Sequence, residues 1–199
     1  RNTLAKPIQE IRIAELNVNT EAKALPALLE PLLAGQDAGL ISEAGVPAVA
    51  DPGANLVRLA HARGIQVRPL VGPSSLLLAV MASGLSGQNF AFNGYLPIDA
   101  AARSKRIKQL EDRSRQEKQT QFFIETPYRN AGLLETLVNT CNPNTLISIA
   151  TDLTLPSEAI KTQTAARWKA DLTSGKTPDF HKKPTVFLLL ADSLSLIHI

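Results

Sequence analysis

The sequence is short of most residue types that would announce a simple chemistry. It has a single cysteine, Cys141, so it can form no internal disulfide, which fits a reducing compartment. Its three histidines, His61, His181 and His198, stand at metal-ligand spacing neither to one another nor to Cys141, so no metal site is expected. Aromatic residues make up 5% of the chain, with one tryptophan. No apolar run approaches the roughly 20 residues that cross a bilayer, so no membrane partner is expected. There is no G-x-G-x-x-G and no G-x-x-x-x-G-K-[ST] run, which sets aside the common phosphate cradles. No serine sits in a G-x-S-x-G elbow. A net charge of +3 over 199 residues permits a nucleic-acid partner without demanding one.

What is present is enough apolar content, 44%, for a real core. The most informative stretch is 39–84, where a short apolar run, a loop rich in Gly and Pro, and a helix are followed by a second strand, loop and helix. Strands alternating with helices predict an α/β fold with a parallel sheet, and the loops leaving such strands are where ligands bind. Helices are expected at 21–34, 54–63, 74–83, 101–118, 129–140 and 164–172, from apolar residues recurring every three or four positions. Strands are expected at 38–42, 65–70, 89–96, 121–125, 146–150, 158–163 and 184–190, with a short one possible at 11–16. The strand at 89–96 reads as the last of a first unit. The boundary is therefore placed there, giving an N-terminal α/β domain over 1–96 and a C-terminal α/β domain over 97–199. An α/β domain of this kind opens on an apolar strand, and residues 1–12 carry none. The expectation is that the opening strand and its loop are missing from this sequence.

Two loops concentrate the special residues. In 42–53, Gly45 and Gly53 allow close approach of the backbone, Pro47 and Pro52 stiffen it, and Glu43 and Asp51 can accept hydrogen bonds. The plainer reading makes Asp51-Pro52-Gly53 a turn, with Asp51 a helix cap. In 71–75, free N–H groups at a helix start could hold an anion, or Ser74 or Ser75 could simply cap that helix. The helix at 101–118 carries seven basic residues against three acidic ones and could touch RNA phosphates, although interleaved acids also suit a solvated face.

Four ordered blocks then become recognisable. Residues 39–47 with Ala50-Asp51-Pro52-Gly53, residues 69–75 with Ala82-Ser83-Gly84-Leu85, Glu125-Thr126-Pro127-Tyr128-Arg129, and Thr151-Asp152-Leu153-Thr154 with Glu158 together resemble the tetrapyrrole methylase superfamily of S-adenosylmethionine-dependent methyltransferases. The likeness is greatest to its ribosomal RNA small subunit methyltransferase I branch. Thr151 and Asp152 stand where that branch has Arg and Glu, and Val71 where it has Pro. The resemblance implies two α/β domains, the first with a mostly parallel sheet and the second with a mixed one. It also implies a cytoplasmic homodimer that binds S-adenosylmethionine in the cleft between the domains. Ala50, Asp51, Pro52, Ser74 and Ser75 would contact the donor from the first domain, and Pro127, Leu153 and Thr154 from the second. Glu125 and Arg129 could instead be an internal ion pair. The implied reaction is 2′-O-ribose methylation of ribosomal RNA held by Arg103, Lys105, Arg106, Lys182 and Lys183, with Glu43 the first candidate for removing the hydroxyl proton. Methylation of a tetrapyrrole or other small molecule, or donor binding without turnover, are the alternatives.

Overall fold

A computed structural model describes residues 10–191. Residues 1–9, most of the segment expected to lack an opening strand, lie outside the described part. The chain divides into two compact units, Arg1–Pro73 and Ser74–Ile199.

The described part of the first unit is built on two helices, α1 (Leu25–Leu33) and α2 (Ala54–Ala62), which pack together and bury Leu25, Leu29 and Ala60. Pro26 falls in the first turn of α1, where a missing N–H costs nothing, and a 3₁₀ turn over Ala22–Ala24 leads into it. Among the described residues of this unit no strand forms at 11–16, 38–42 or 65–70, so the expected parallel sheet is absent here. A strand is defined by its ladder partner, and none of these segments has one. The side chains that such a sheet would bury are left in solvent: Ile41 is 89% and Leu70 88% exposed.

The second unit carries the sheet. After α3 (Ser75–Ser83) come β1 (Phe90–Tyr95), α4 (Ala100–Glu117), β2 (Thr120–Ile124), α5 (Asn130–Thr140), β3 (Leu146–Thr151), β4 (Ala159–Thr164), α6 (Ala165–Thr173) and β5 (Thr185–Leu190). The strand order is β1-β2-β5-β3-β4. β1 and β2 run parallel, joined through α4 as a parallel crossover requires, and every other neighbour is antiparallel, so the sheet is mixed. The sequence pattern places a boundary after Leu96, whereas the two compact units divide after Pro73. The strand at Phe90–Tyr95 is the edge of the second unit's sheet, because its ladder partner is β2.

Alternation along the strands produces two cores. Phe123, Ile147, Ile149, Phe187 and Leu189 face α4, α5 and α6, meeting Ile107, Leu110, Leu133, Leu137 and Trp168. Their neighbours Phe122, Ala150, Val186 and Leu188 face α3, meeting Leu76, Ala79 and Val80. β5 lies in the middle, all six residues buried, which is why Val186-Phe187-Leu188-Leu189-Leu190 reads as a continuous apolar run. The polar helix α4 is anchored at its start by Asp99, whose carboxylate accepts from the Ala102 N–H at 2.8 Å. At the far end of α4, the Ser114 hydroxyl accepts from the Ala191 N–H just beyond β5.

Candidate active site

In the first unit the loop over 42–53 is held in an unusual backbone. Gly45, Ala48, Ala50 and Gly53 all have positive φ, at 73°, 66°, 55° and 140°. An alanine in the left-handed region costs on the order of 1 kcal/mol, and such strain concentrates at ligand sites. Gly53 is required twice over: its φ suits glycine, and a Cβ there would lie 2.8 Å from Leu40 Cδ2 and 3.2 Å from the Ala48 Cβ. Inside the loop the Ser42 hydroxyl donates to the carbonyls of Ala44 and Gly45, both at 3.2 Å. The second loop lies alongside, since a Cβ on Gly72 would sit 3.8 Å from Val46 Cγ1.

Ala50, Asp51 and Pro52 line one cleft of ≈ 420 Å³, shared with Leu16, Asn17 and Leu25. That volume suits a small organic ligand. Asp51 is not the helix cap of the plainer reading. Gly53 is the N-cap of α2, with no side-chain cap bond, and the Asp51 carboxylate stays exposed at the cleft wall. A carboxylate so placed can accept from hydroxyl or ammonium groups. Glu43 is exposed in the same loop but is not among the residues lining this cleft.

In the second unit, strand register brings Pro127, Leu153 and Thr154 to one end of the sheet. Tyr95 pairs with Ile124, Ile124 with Val186, Thr185 with Thr151, and Thr151 with Ala159. The segments 125–129 and 152–158, and the residues leading into Pro184, therefore share one end of the sheet. Pro127 opens a 3₁₀ turn, Pro127–Arg129. Leu153 is half-buried against the core on the α3 side. Thr154 is exposed with φ 72°, an outlier for a β-branched residue, and its N–H donates to Glu158 Oε2 at 2.8 Å. Asp152, φ 53°, is buried, accepts from the Ser157 hydroxyl at 2.8 Å and faces Lys183 Nζ at 3.8 Å. Ser74 begins α3 as its N-cap residue yet makes no side-chain cap bond; it is buried, whereas Ser75 is exposed.

Glu125 and Arg129 are an internal ion pair. Glu125 Oε1 accepts from Arg129 Nη2 at 2.7 Å, from Arg129 Nε at 3.0 Å and from the Thr126 N–H. Its other oxygen, Oε2, is buried without a partner among the described residues. Of the five basic residues, Arg103 is tied to the Thr136 hydroxyl and the Ile98 carbonyl, and Arg106 to Asn93. Lys183 pairs with Asp152 and Asp179, while Lys105 and Lys182 are exposed. One feature that the sequence reading passed over is Tyr128, 74% exposed, with Lys182 Nζ 5.8 Å from its ring centre. It lies inside a recognised block, and its exposure is what marks it out.

A family model described as Tetrapyrrole (Corrin/Porphyrin) Methylases matches residues 3–168. Proteins named ribosomal RNA small subunit methyltransferase I are similar to this chain. The one from Vibrio cholerae is 32% identical, over 75% of this chain and 54% of its own length. That from Mesorhizobium japonicum is 34% identical, over 84% of this chain and 55% of its own. That from Pseudomonas aeruginosa is 38% identical, over 65% and 44%. The chain thus spans about half the length of the curated relatives it matches. In fold it is similar to the methyltransferase CobJ, with TM-score 0.56 and 22% identity over 86% of this chain and 72% of that one. It is also similar in fold to the cobalt precorrin-4 methyltransferase CbiF, with TM-score 0.53 and 14% identity over 87% and 72%.

Proposed function

The chain belongs to the tetrapyrrole (corrin/porphyrin) methylase family, and from that premise we propose that it serves an S-adenosylmethionine-dependent methyltransferase acting on a ribose 2′-hydroxyl of small-subunit ribosomal RNA. The observation that carries the reading is the run of curated relatives of that name at 30–38% identity. The cleft supports it. Ala50, Asp51 and Pro52 line a space of ≈ 420 Å³, and the Asp51 carboxylate is held at its wall by strained backbone rather than spent on capping α2.

When bound, the donor supplies a methyl group already activated by a sulfonium. Positioning is then the main task left to the protein, and rigid turns are suited to it. Asp51 accepts from the donor's hydroxyl or ammonium groups, while Ala50 and Pro52 present backbone and ring to it. Ser74 and Ser75, with Pro127, Leu153 and Thr154, are proposed as its other contacts. With the donor in place, its methyl group would be available to a ribose hydroxyl, and Glu43 is the candidate base that would take the hydroxyl proton.

The same reading carries the finer points of architecture and assembly. Segments 38–42 and 65–70, whose Ile41 and Leu70 are exposed, are proposed as strands of a mostly parallel N-terminal sheet. A homodimer working in the cytoplasm on ribosomal RNA is proposed with it; no described helix is long and apolar enough to cross a membrane.

Calorimetric titration with S-adenosylhomocysteine tests the site. Binding that weakens roughly 10-fold or more in Asp51→Ala, the expected effect of losing a charge-assisted hydrogen bond, supports it. Equal binding by the variant and the parent chain would remove Asp51 from the role. Transfer of tritiated methyl to small ribosomal subunits, followed by nucleoside analysis, tests the substrate: label is expected in a 2′-O-methyl nucleoside, reduced in Glu43→Gln.

A further inference from the structure

We propose that Tyr128 and Lys182 form a stacking platform for an unpaired RNA base. The inference rests on the ribosomal RNA reading and names a surface by which that substrate would be gripped.

The geometry begins with Tyr128 itself. Its ring is 74% exposed although it belongs to a rigid turn at the end of a buried strand. Pro127 fixes the start of that turn, and Arg129 closes it through two hydrogen bonds to the enclosed Glu125 carboxylate. The ring is therefore displayed on a stiff support, which lowers the ordering cost of stacking anything upon it. Lys182 approaches from the stretch that leads into β5, with Nζ 5.8 Å from the ring centre. Its backbone is left-handed, φ 56°, which is unusual for a lysine and aims the side chain from a defined turn. The neighbouring Lys183 is occupied by Asp152 and Asp179, so Lys182 is the exposed cation of this pair.

An aromatic face beside a cation suits single-stranded RNA, where bases stack on rings and phosphates are met by flexible ammonium groups. A base takes an open face of Tyr128, and the ammonium takes a flanking phosphate. A planar macrocycle would instead want apolar walls across both its faces, and a lysine over the ring does not supply one. Thr154 and Pro127, proposed above as donor contacts, share this end of the sheet with the platform.

Fluorescence anisotropy on the full chain, using labelled oligoadenylate and an abasic strand of the same length, tests this. Tyr128→Ala is expected to weaken oligoadenylate binding roughly 5- to 100-fold while leaving the abasic strand unaffected, and Tyr128→Phe to bind as the parent does. Lys182→Ala is expected to lower the slope of log affinity against log salt by about one. Emission from the buried Trp168 reports that each variant remains folded. If the parent chain binds RNA and Tyr128→Ala matches it on both strands, the platform is overturned and the substrate reading stands. If the parent binds neither strand, the RNA reading fails and the platform with it. Binding of uroporphyrin that is lost in Tyr128→Ala, without any RNA binding, would likewise overturn both.

Discussion

Glu111 is the most demanding single residue in the chain. It sits fully buried on the inner face of α4, a polar helix with few apolar side chains, and its carboxylate ties that helix to the turn before β3. Oε1 accepts from the Asn142 N–H and the Thr145 hydroxyl, and Oε2 accepts from Lys108 Nζ at 2.7 Å. Burial pushes its pKa up, but hydrogen bonds from Lys108, Thr145 and Asn142 outweigh it and hold the carboxyl below its ordinary 4.5. The folded state thus binds this proton less readily than the unfolded chain. The stabilisation is complete above the ordinary value and is lost as pH falls through the depressed folded one. Glu111→Ala should cost about 2–4 kcal/mol at neutral pH, because it strands a backbone N–H and a hydroxyl in the interior. In urea unfolding, the gap between the parent and Glu111→Gln should narrow as pH drops below 4.5; a constant gap would mean the charge contributes nothing. Little of this was legible beforehand, since Glu111 reads as one more charge on a solvated helix until the fold encloses it. Cys141 was legible as a passive residue. It is buried, and burial with the nearby Glu111 charge pushes its thiol up to about 12, far from a nucleophile's range.

The elements of the second unit could be read from period alone. Adjacent Phe122 and Phe123 fall on opposite faces of β2, as strand alternation requires, and Leu133, Leu134, Leu137 and Val138, recurring three and four residues apart, did mark α5. The partner of β1 was not legible, because Phe90, Phe92 and Gly94 specify a strand but not the neighbour it will choose. Nor was it legible that 38–42 and 65–70 would stay unpaired, since a ladder depends on a second segment. The loop at 42–53 lies between these cases. Its glycines and prolines announced a special backbone, while the positive φ of Ala48 and Ala50 leaves no mark in residue type. Gly53 offers the direct test of whether that backbone matters. Gly53→Ala would combine a disfavoured φ with a 2.8 Å approach to Leu40 Cδ2, and should cost about 1–3 kcal/mol. Leu40 can swing aside but the φ cannot relax, so the loop must shift. S-adenosylhomocysteine affinity should then fall more than global stability does, which paired calorimetry and thermal melts would separate.

At the scale of the whole molecule, the two units are unequally built. The second has a five-stranded sheet with a packed core on each face and β5 buried along its length. In the first, the buried apolar side chains among the described residues are Leu25, Leu29 and Ala60, while Ile13, Val18, Ile41, Leu70 and Val71 are exposed. Apolar burial contributes about 25 cal/mol per Å², so the difference should appear as a difference in local opening free energy. Hydrogen exchange measured by mass spectrometry should find the amides of β5 and β3 slowest. Those of 10–73 should be faster by several decades, because little burial opposes their opening. Adding S-adenosylhomocysteine should slow residues 42–53 selectively, since a ligand that binds one conformation stabilises it by mass action. Uniform protection across the chain would show that the thin first unit opens only with the rest. Protection on adding ligand confined to the second unit would dissociate the strained loop from the donor, and with it Ala50, Asp51 and Pro52. The expected pattern, a robust sheet and a loosely held 42–53 loop, is what the proposed donor site would require in order to admit and release its cofactor.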